Sequence, residues 1–205
     1  MQFFELKTLL KDFLIFSVKD IKKTDFDFHS QRLSEWQGKG YIKKITKDYY
    51  IFSDLEINES VLFLIANKIY PPSYISLEMA LSYYNLIPES VYGITSVVSG
   101  KTNKIKTDVG EFIYSHIKPG LMFGYKLAEY GGQNFKIAEI EKSLLDYLYL
   151  NPHLKTENDF IEMRFKPDEF KRRADKEKLE KYLNVFNNKR LAIRVWKFLK
   201  FIKYA

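Results

Sequence analysis

The first 54 residues alternate between helical and strand-like patterns of apolar positions. The patterns predict three helices and two strands, over residues 3–14, 18–22, 28–37, 41–45 and 49–52. Ser17 is placed to cap the second helix, and Gly38 and Gly40 end the third. Only three residues separate the two strands, which is typical of a tight hairpin. The order of helix, helix, turn, helix and hairpin predicts a winged helix-turn-helix domain over residues 1–54.

The third predicted helix supplies candidate DNA-reading side chains. His29, Leu33 and Trp36 recur at helical spacing and are expected to pack inward. The candidate DNA contacts at its outer side are the polar residues Ser30, Gln31, Arg32 and Ser34. Gln and Arg suit the edges of bases, and Ser suits phosphate oxygens. Glu35 also points outward and opposes DNA binding, unless it accepts a hydrogen bond from a cytosine amino group.

Four lysines flank this helix and are candidate phosphate contacts. They are Lys39, Lys43, Lys44 and Lys47, in the turn after the helix and in the hairpin. A positive charge there adds affinity without sequence information. The alternative is a winged helix that binds a protein, in which the lysines merely protect a solvated edge strand from pairing.

Residues 55–152 are predicted to form an α+β domain with a small antiparallel sheet. Helical patterns cover residues 55–69, 77–84 and 140–150, and strand patterns cover residues 93–98, 104–107, 111–117, 122–128 and 134–138. Ser76 is expected to cap the helix that follows it, and Asn151-Pro152 ends the last helix. Several short strands joined by hairpin turns indicate antiparallel pairing.

Residues 153–205 are predicted to be helical and basic, and they complete an interaction domain over residues 55–205. Apolar stripes recur at helical spacing, while Arg190, Arg194 and Lys197 gather on another face. These three residues are the candidate partner-binding surface, suited to an acidic protein. A solvated helical cap on the sheet and an RNA contact are the alternatives.

The net charge of +7 is distributed unevenly along the chain. Residues 1–54 hold 10 Lys and Arg against 8 Asp and Glu, residues 55–150 hold 8 against 10, and residues 151–205 hold 15 against 8. Most of the basic excess thus lies outside the predicted DNA-binding domain. The total charge is therefore not by itself a signal of DNA binding.

The composition predicts a folded protein of the cytoplasm. Hydrophobic residues make up 46% of the chain, which is enough to bury a core. The absence of cysteine excludes disulfides and thiolate metal sites, and suits a reducing compartment. No run approaches the roughly 20 apolar residues of a membrane span, and the first residues do not resemble a signal peptide. No contact with a membrane is expected.

The sequence predicts no catalytic, cofactor or metal site, and hence a protein that is not an enzyme. The three histidines are far apart and have no ligand spacing: His29, His116 and His153. Gly131-Gly132 lacks the residues of a phosphate-binding loop and is interpreted as a turn. Glu139, Glu141 and Asp146 cluster at a predicted helix start, where negative charge is commonly favoured.

Several segments together resemble a known family. They are PPSYISLEMALSYYNLIP (71–88), GITSVVSGK (93–101), TDVGEFIYSHIKPGLMFGY (107–125), IAEIEKSLLDYLYLNP (137–152) and GKGYIKKITKDYYIF (38–52). Their order and spacing resemble those of the AbiEi antitoxins of type IV toxin-antitoxin systems, over roughly residues 30–152. The chain departs from the family pattern by lacking a proline near Ile140, by having Lys142-Ser143 in place of Lys-Ala, and by lacking the wing glycine at Asp48-Tyr49-Tyr50.

The resemblance implies an antitoxin of phage defence that represses its own operon through the winged helix. It also implies that the second domain counteracts a toxin with a nucleotidyltransferase-like fold. A homodimer on an inverted-repeat operator is expected to provide the affinity. The alternative is a protein-interaction module that neutralises a partner enzyme by direct binding, without specific DNA recognition.

Overall fold

A computed structural model of the chain describes residues 1–88 and 93–204. Its first elements are α1 (Phe3–Leu9), β1 (Phe16–Ser17), α2 (Val18–Thr24), α3 (Gln31–Gly38), β2 (Ile42–Lys44) and β3 (Tyr49–Phe52). The three strands form an antiparallel sheet in the order β1-β3-β2, so the predicted hairpin is confirmed and β2 is an edge strand. Ser17 caps α2 as predicted, because its side chain accepts a hydrogen bond from the Asp20 amide.

Several details of this region differ from the sequence prediction. The first helix ends at Leu9 rather than extending to residue 14, and β1 was not predicted. The third helix begins at Gln31 rather than at Phe28, so His29 precedes the helix and is exposed. Phe28 takes the interior position instead, and its ring lies 5.7 Å from that of Trp36. The phenylalanine fills the interior because its burial removes more apolar surface from water than burial of the imidazole would.

The remaining elements lie on a second, larger sheet. They are α4 (Glu59–Ile69), β4 (Ser73–Ile75), α5 (Leu77–Tyr83), β5 (Ile94–Val98), β6 (Asn103–Thr107), β7 (Gly110–His116), a 3₁₀ turn (Pro119–Leu121), β8 (Tyr125–Tyr130), β9 (Gln133–Ala138), α6 (Ile140–Leu150), α7 (Glu157–Glu162), α8 (Pro167–Arg173), α9 (Lys176–Phe186) and α10 (Lys189–Tyr204). The sheet has six strands in the order β6-β7-β5-β4-β9-β8. The fold class is therefore α+β, as predicted.

The prediction of an antiparallel second sheet was wrong, because the sheet is mixed. The hairpins β6–β7 and β8–β9 are antiparallel, whereas β5 pairs parallel with β7 and β4 pairs parallel with β9. Hairpins join neighbours in the sequence, and their turns can be recognised locally. The parallel pairs join strands separated by other elements, so no local pattern could indicate their direction.

Helices cover both faces of this sheet. Ile75, Ser96 and Tyr114 are aligned across β4, β5 and β7, and the Tyr114 hydroxyl donates to the Ala66 carbonyl of α4 at 2.8 Å. Tyr74, the preceding residue of β4, points to the opposite face, where its hydroxyl donates to Asp146 of α6 at 2.8 Å. Helices α4 and α6 thus lie on opposite sides of the central strands.

The C-terminal helices extend the layer that contains α6. Helices α9 and α10 both pack against α6. Phe198 of α10 joins α10 to the preceding segments, since its ring lies 5.3 Å from that of Phe160 and 4.9 Å from that of Phe165. Within the described ranges 1–88 and 93–204, none of the helices has the length and apolar character needed to cross a membrane.

The N-terminal elements have their own core, and they also pack against the larger sheet. The core of the first 52 residues includes Leu6, Leu33 and Trp36. At the junction, the Gln133 side-chain amide donates to the Asp12 carbonyl at 2.6 Å. Gly131 adopts a φ of +57° beneath Leu14, and a Cβ there would lie 3.2 Å from the leucine side chain. The turn before β9 therefore contacts the chain between α1 and β1.

Replacing Trp36 with alanine should destabilise the N-terminal core by about 3–5 kcal/mol, because it removes a large buried side chain. The indole is only 4% exposed. Urea unfolding followed by circular dichroism measures this loss. The control is Gln37→Ala, at the exposed next position, which should change stability by less than about 0.5 kcal/mol. Similar unfolding midpoints for the two variants would contradict the prediction.

Candidate nucleic-acid interface

Helix α3 presents one buried and one polar face. Leu33 and Trp36 are buried, whereas Gln31, Ser34 and Glu35 are exposed, as the helical spacing predicts. Ser30 is also exposed, and its hydroxyl makes no capping hydrogen bond to the helix. The exposed amide and hydroxyl groups can donate and accept hydrogen bonds, which is the chemistry that recognition of base edges and phosphates requires.

Arg32 is less available than its neighbours. The side chain is half-buried, and its guanidinium donates a hydrogen bond to the Met1 carbonyl. It therefore links the start of the chain to α3. Of the candidate DNA contacts within the helix, Gln31 and Ser34 are the ones that remain open to an incoming ligand.

The four candidate lysines are exposed along the turn and the hairpin that follow α3. Gly40 adopts a φ of +72°, a conformation that favours glycine, and turns the chain so that the Tyr41 amide donates to the Trp36 carbonyl at 2.9 Å. Lys43 and Lys44 lie on the edge strand β2, and Lys39 and Lys47 lie just before and after it. Among the residues that the structure describes, none of the four forms a salt bridge.

The basic excess of the N-terminal elements is confined to this region. Residues 1–28 hold equal numbers of basic and acidic residues, whereas residues 29–48 hold five basic residues against two acidic ones. The positive charge therefore surrounds the exposed side of α3 and the hairpin, although the total over residues 1–54 is small. Such a local basic patch is what phosphate contacts need.

No protein-family model and no curated protein matches this chain. The resemblance to the AbiEi antitoxins therefore depends on the segments quoted above.

The candidate partner surface on α10 differs from the prediction at Arg194. Arg190 and Lys197 are exposed, but Arg194 is buried, with an exposed fraction of 7%. Its Nε and Nη2 donate to the Leu148 carbonyl near the end of α6, at 3.3 and 3.1 Å. Burial lowers the pKa of its guanidinium. Arg194 thus joins α10 to α6, and it does not lie on the exposed basic face where the sequence analysis placed it.

A second polar cluster, which the sequence analysis missed, lies in the interior between β4 and α6. Lys142 and Asp146 form a fully buried ion pair one helical turn apart. The Tyr74 hydroxyl accepts from Lys142 Nζ at 2.8 Å and donates to Asp146 Oδ2 at 2.8 Å, and the Ser76 hydroxyl donates to the same oxygen at 2.9 Å. We call these four residues the buried network.

Burial is the largest influence on the pKa values of Lys142 and Asp146 in the network. Desolvation lowers the pKa of the Lys142 amine and raises the pKa of the Asp146 carboxyl, while their mutual attraction opposes both shifts. The amine also lies within 5.3 Å of the ring centres of Tyr74, Phe123 and Phe186. None of these ionisable groups reaches solvent in this structure.

The network changes the interpretation of two predicted features. Ser76 precedes α5 as expected, but its hydroxyl bonds to Asp146 rather than capping the helix. The Thr95 hydroxyl of β5 instead accepts from the Met79 amide at 3.0 Å. The predicted carboxylate cluster is also divided between two partners. Asp146 joins the network, whereas Glu141, which is buried too, accepts from the Asp175 amide at 2.7 Å. The available signal was a Lys–Asp pair at i, i+4 within an otherwise apolar stretch.

No cluster of three potential metal ligands occurs within residues 1–88 and 93–204.

Reversing the charge of Arg194 should destabilise the protein by at least about 3 kcal/mol, since Arg194→Glu would place an unpaired carboxylate beside a buried carbonyl. Thermal or urea unfolding checks this outcome. Arg190→Glu and Lys197→Glu, at exposed positions of the same helix, should each change stability by less than about 0.5 kcal/mol. Equal effects of the three changes would refute the buried role of Arg194.

Replacing Lys142 with methionine should destabilise the protein by about 3–5 kcal/mol, because Asp146 would then be a buried charge without its cation. A double-mutant cycle with Asp146→Leu and urea unfolding measures the coupling. The double variant should be less destabilised than the sum of the single variants, because it contains no unpaired buried charge. Additive losses would contradict a coupled pair.

Proposed function

We propose that the protein is an antitoxin that represses its own operon by binding operator DNA and counteracts a toxin with a nucleotidyltransferase-like fold. Residues 1–54 form the DNA-binding unit, interpreted as a winged helix-turn-helix. Residues 55–205 form the antitoxin unit. In this proposal the protein acts by binding rather than by catalysis, and it acts in the cytoplasm, where its operator lies.

One observation carries the DNA-binding half of the proposal. The elements α1, β1, α2, α3, β2 and β3 follow one another in this order, and β3 lies between β1 and β2 in the sheet. This is the arrangement expected of a winged helix, in which the second helix of the helix-turn-helix enters the major groove and the hairpin lies beside it. The concentration of basic residues between positions 29 and 48 supports the same interpretation.

The exposed groups suggest a division of roles at the operator. Gln31 and Ser34 would face the base edges and nearby phosphates, with Ser30 at the start of the helix. Lys39, Lys43, Lys44 and Lys47 would contact phosphates. Arg32 would flank them after giving up its hydrogen bond to Met1. Two copies on an inverted repeat would double these contacts.

The antitoxin half of the proposal rests on the resemblance of the quoted segments to the AbiEi family. Those segments span β4, α5, β5, β7 and α6, which include the central strands and the helix that holds the buried network. The resemblance therefore concerns the interior of the second unit as well as its surface.

The first test is a fluorescence anisotropy titration of about 200 base pairs of upstream DNA, with scrambled DNA as competitor. The triple variant Lys43→Ala, Lys44→Ala and Lys47→Ala should bind more weakly, and the slope of log affinity against log salt should fall by up to about 3, because each lost phosphate contact removes about 0.9. Gln31→Ala should instead reduce the preference for the operator over scrambled DNA.

The matched control removes the same charge elsewhere, through Lys101→Ala, Lys118→Ala and Lys181→Ala, all at exposed positions. This variant should keep the wild-type salt dependence. Equal affinity of the wild-type protein for operator and scrambled DNA at physiological salt would refute the repressor half of the proposal.

The second candidate is a module that neutralises a partner enzyme by direct contact, without specific DNA recognition. The exposed basic side chains of Arg190 and Lys197 on α10 favour it. In both candidate functions residues 55–205 counteract the partner. The two candidates differ in the role of residues 1–54, which would not recognise specific DNA in the second one.

A further inference from the structure

An apolar groove runs along the C-terminal helices. It has a volume of about 360 Å³ and lies between α10 and the segment formed by α8 and α9. Its apolar lining consists of Phe170, Ala174, Leu179, Trp196, Leu199 and Ile202. Aliphatic and aromatic side chains from three helices thus line one open depression.

Trp196 forms a ridge beside this groove. Its side chain is 55% exposed, and Ile193, one turn earlier on α10, is 58% exposed. Trp196 also borders a second depression on its other side, together with Leu183 and Ala192. A tryptophan and an isoleucine exposed next to an apolar groove form the kind of patch that marks protein interaction sites, where tryptophan often contributes most of the binding energy.

Helix α10, which forms one wall of the groove, is strongly basic. No acidic residue follows Glu180 in the sequence, whereas seven Lys and Arg residues do. Lys171, Lys176 and Lys203 line the groove, and Lys197 and Lys200 border the cleft on the other side of α10. The two acidic residues of the groove lining are Asp175, whose carboxylate caps α9, and Glu180.

These features distinguish between classes of partner. A second copy of this chain would bring two basic surfaces together, which is unfavourable. A nucleic acid would satisfy the lysines but has no aliphatic groups to fill the groove. An acidic amphipathic helix satisfies both requirements, because its apolar residues enter the groove while its carboxylates meet the lysines.

We propose that the groove beside Trp196 binds an acidic amphipathic helix of a partner protein, with apolar anchors spaced at i, i+3 or i+4, and i+7. Lys171, Lys176 and Lys203, which line the groove, would pair with carboxylates that flank these anchors. This inference rests on the partner-binding role proposed for the second unit, and it specifies the chemistry of that partner. It is independent of DNA recognition by residues 1–54.

The experiment uses the full chain and a displayed library of helical peptides of about 18 residues, or five turns. Leu, Ile, Phe and Met vary at the anchor positions, and Glu and Asp fill the remaining face. Selected peptides are measured by anisotropy and by the tryptophan emission of the protein. The emission should shift to shorter wavelength as Trp196 becomes buried, and Trp196→Phe should abolish the shift, because the other tryptophan, Trp36, is already buried.

Trp196→Ala should weaken the selected peptides at least about tenfold, as truncation of an anchoring aromatic residue does. Lys176→Glu with Lys203→Glu, at two lysines of the groove lining, should also weaken them. The matched controls are Phe26→Ala, an exposed aromatic residue of the N-terminal unit, and Lys101→Glu with Lys118→Glu. The controls should bind the peptides as the wild-type protein does, and Trp196→Ala should keep its affinity for upstream DNA.

Three results would overturn the proposal. A control peptide has the same charges but serine at the anchor positions. If it bound as tightly as the selected peptides, charge attraction alone would account for the interaction. Displacement of the selected peptides by duplex RNA at equal charge concentration would favour a nucleic-acid site. Failure to select any peptide with a Kd below about 100 μM would leave the groove without the proposed ligand. The upstream-DNA titration is a separate measurement, so loss of the repressor function would not imitate any of these results.

Discussion

The buried ion pair between Lys142 and Asp146 holds α6 against the central strand of the large sheet. Removing two charges from water costs several kcal/mol per ion, and the cost is offset only where the pair has good geometry and further hydrogen bonds. Tyr74 and Ser76 provide those bonds from β4 and the residue after it. The pairing favours one position of α6 along β4. Helices α9 and α10 pack on α6, so their placement depends on the same contacts.

The N-terminal unit is likewise held in place by its contacts with the large sheet. Asp12 and Leu14, between α1 and β1, contact the hairpin β8–β9 at Gln133 and Gly131. Ile15, Ile45 and Ile51 belong to the large core rather than to the small one. Strand β3 of the hairpin places Tyr50 and Phe52 in the small core and Ile51 in the large one. The hairpin that carries the exposed lysines is therefore packed against both cores.

Two basic surfaces of different chemistry result. Around α3 and the hairpin, lysines accompany exposed amide and hydroxyl groups, which can form the directional hydrogen bonds that nucleic acids require. Around α10, lysines accompany aliphatic and aromatic side chains, which gain by leaving water against another protein. The sign of the charge is the same at both surfaces, and they differ in the side chains that accompany the lysines. Counting charges along the chain does not separate these surfaces.

The sequence by itself determined the features that depend on a few neighbouring residues. It predicted β3 and α6, the capping of α2 by Ser17, the hairpins and the exposed side of α3, because periodicity, caps and turns act over one or two helical turns or strand pairs. Only the tertiary structure decided the parallel pairs β4–β9 and β5–β7, the inward direction of Arg194, the use of Ser76 in the buried network and the groove beside Trp196. Each of these depends on partners that are distant in the sequence and meet only when the sheet and helices pack, so a local pattern contains no information about them.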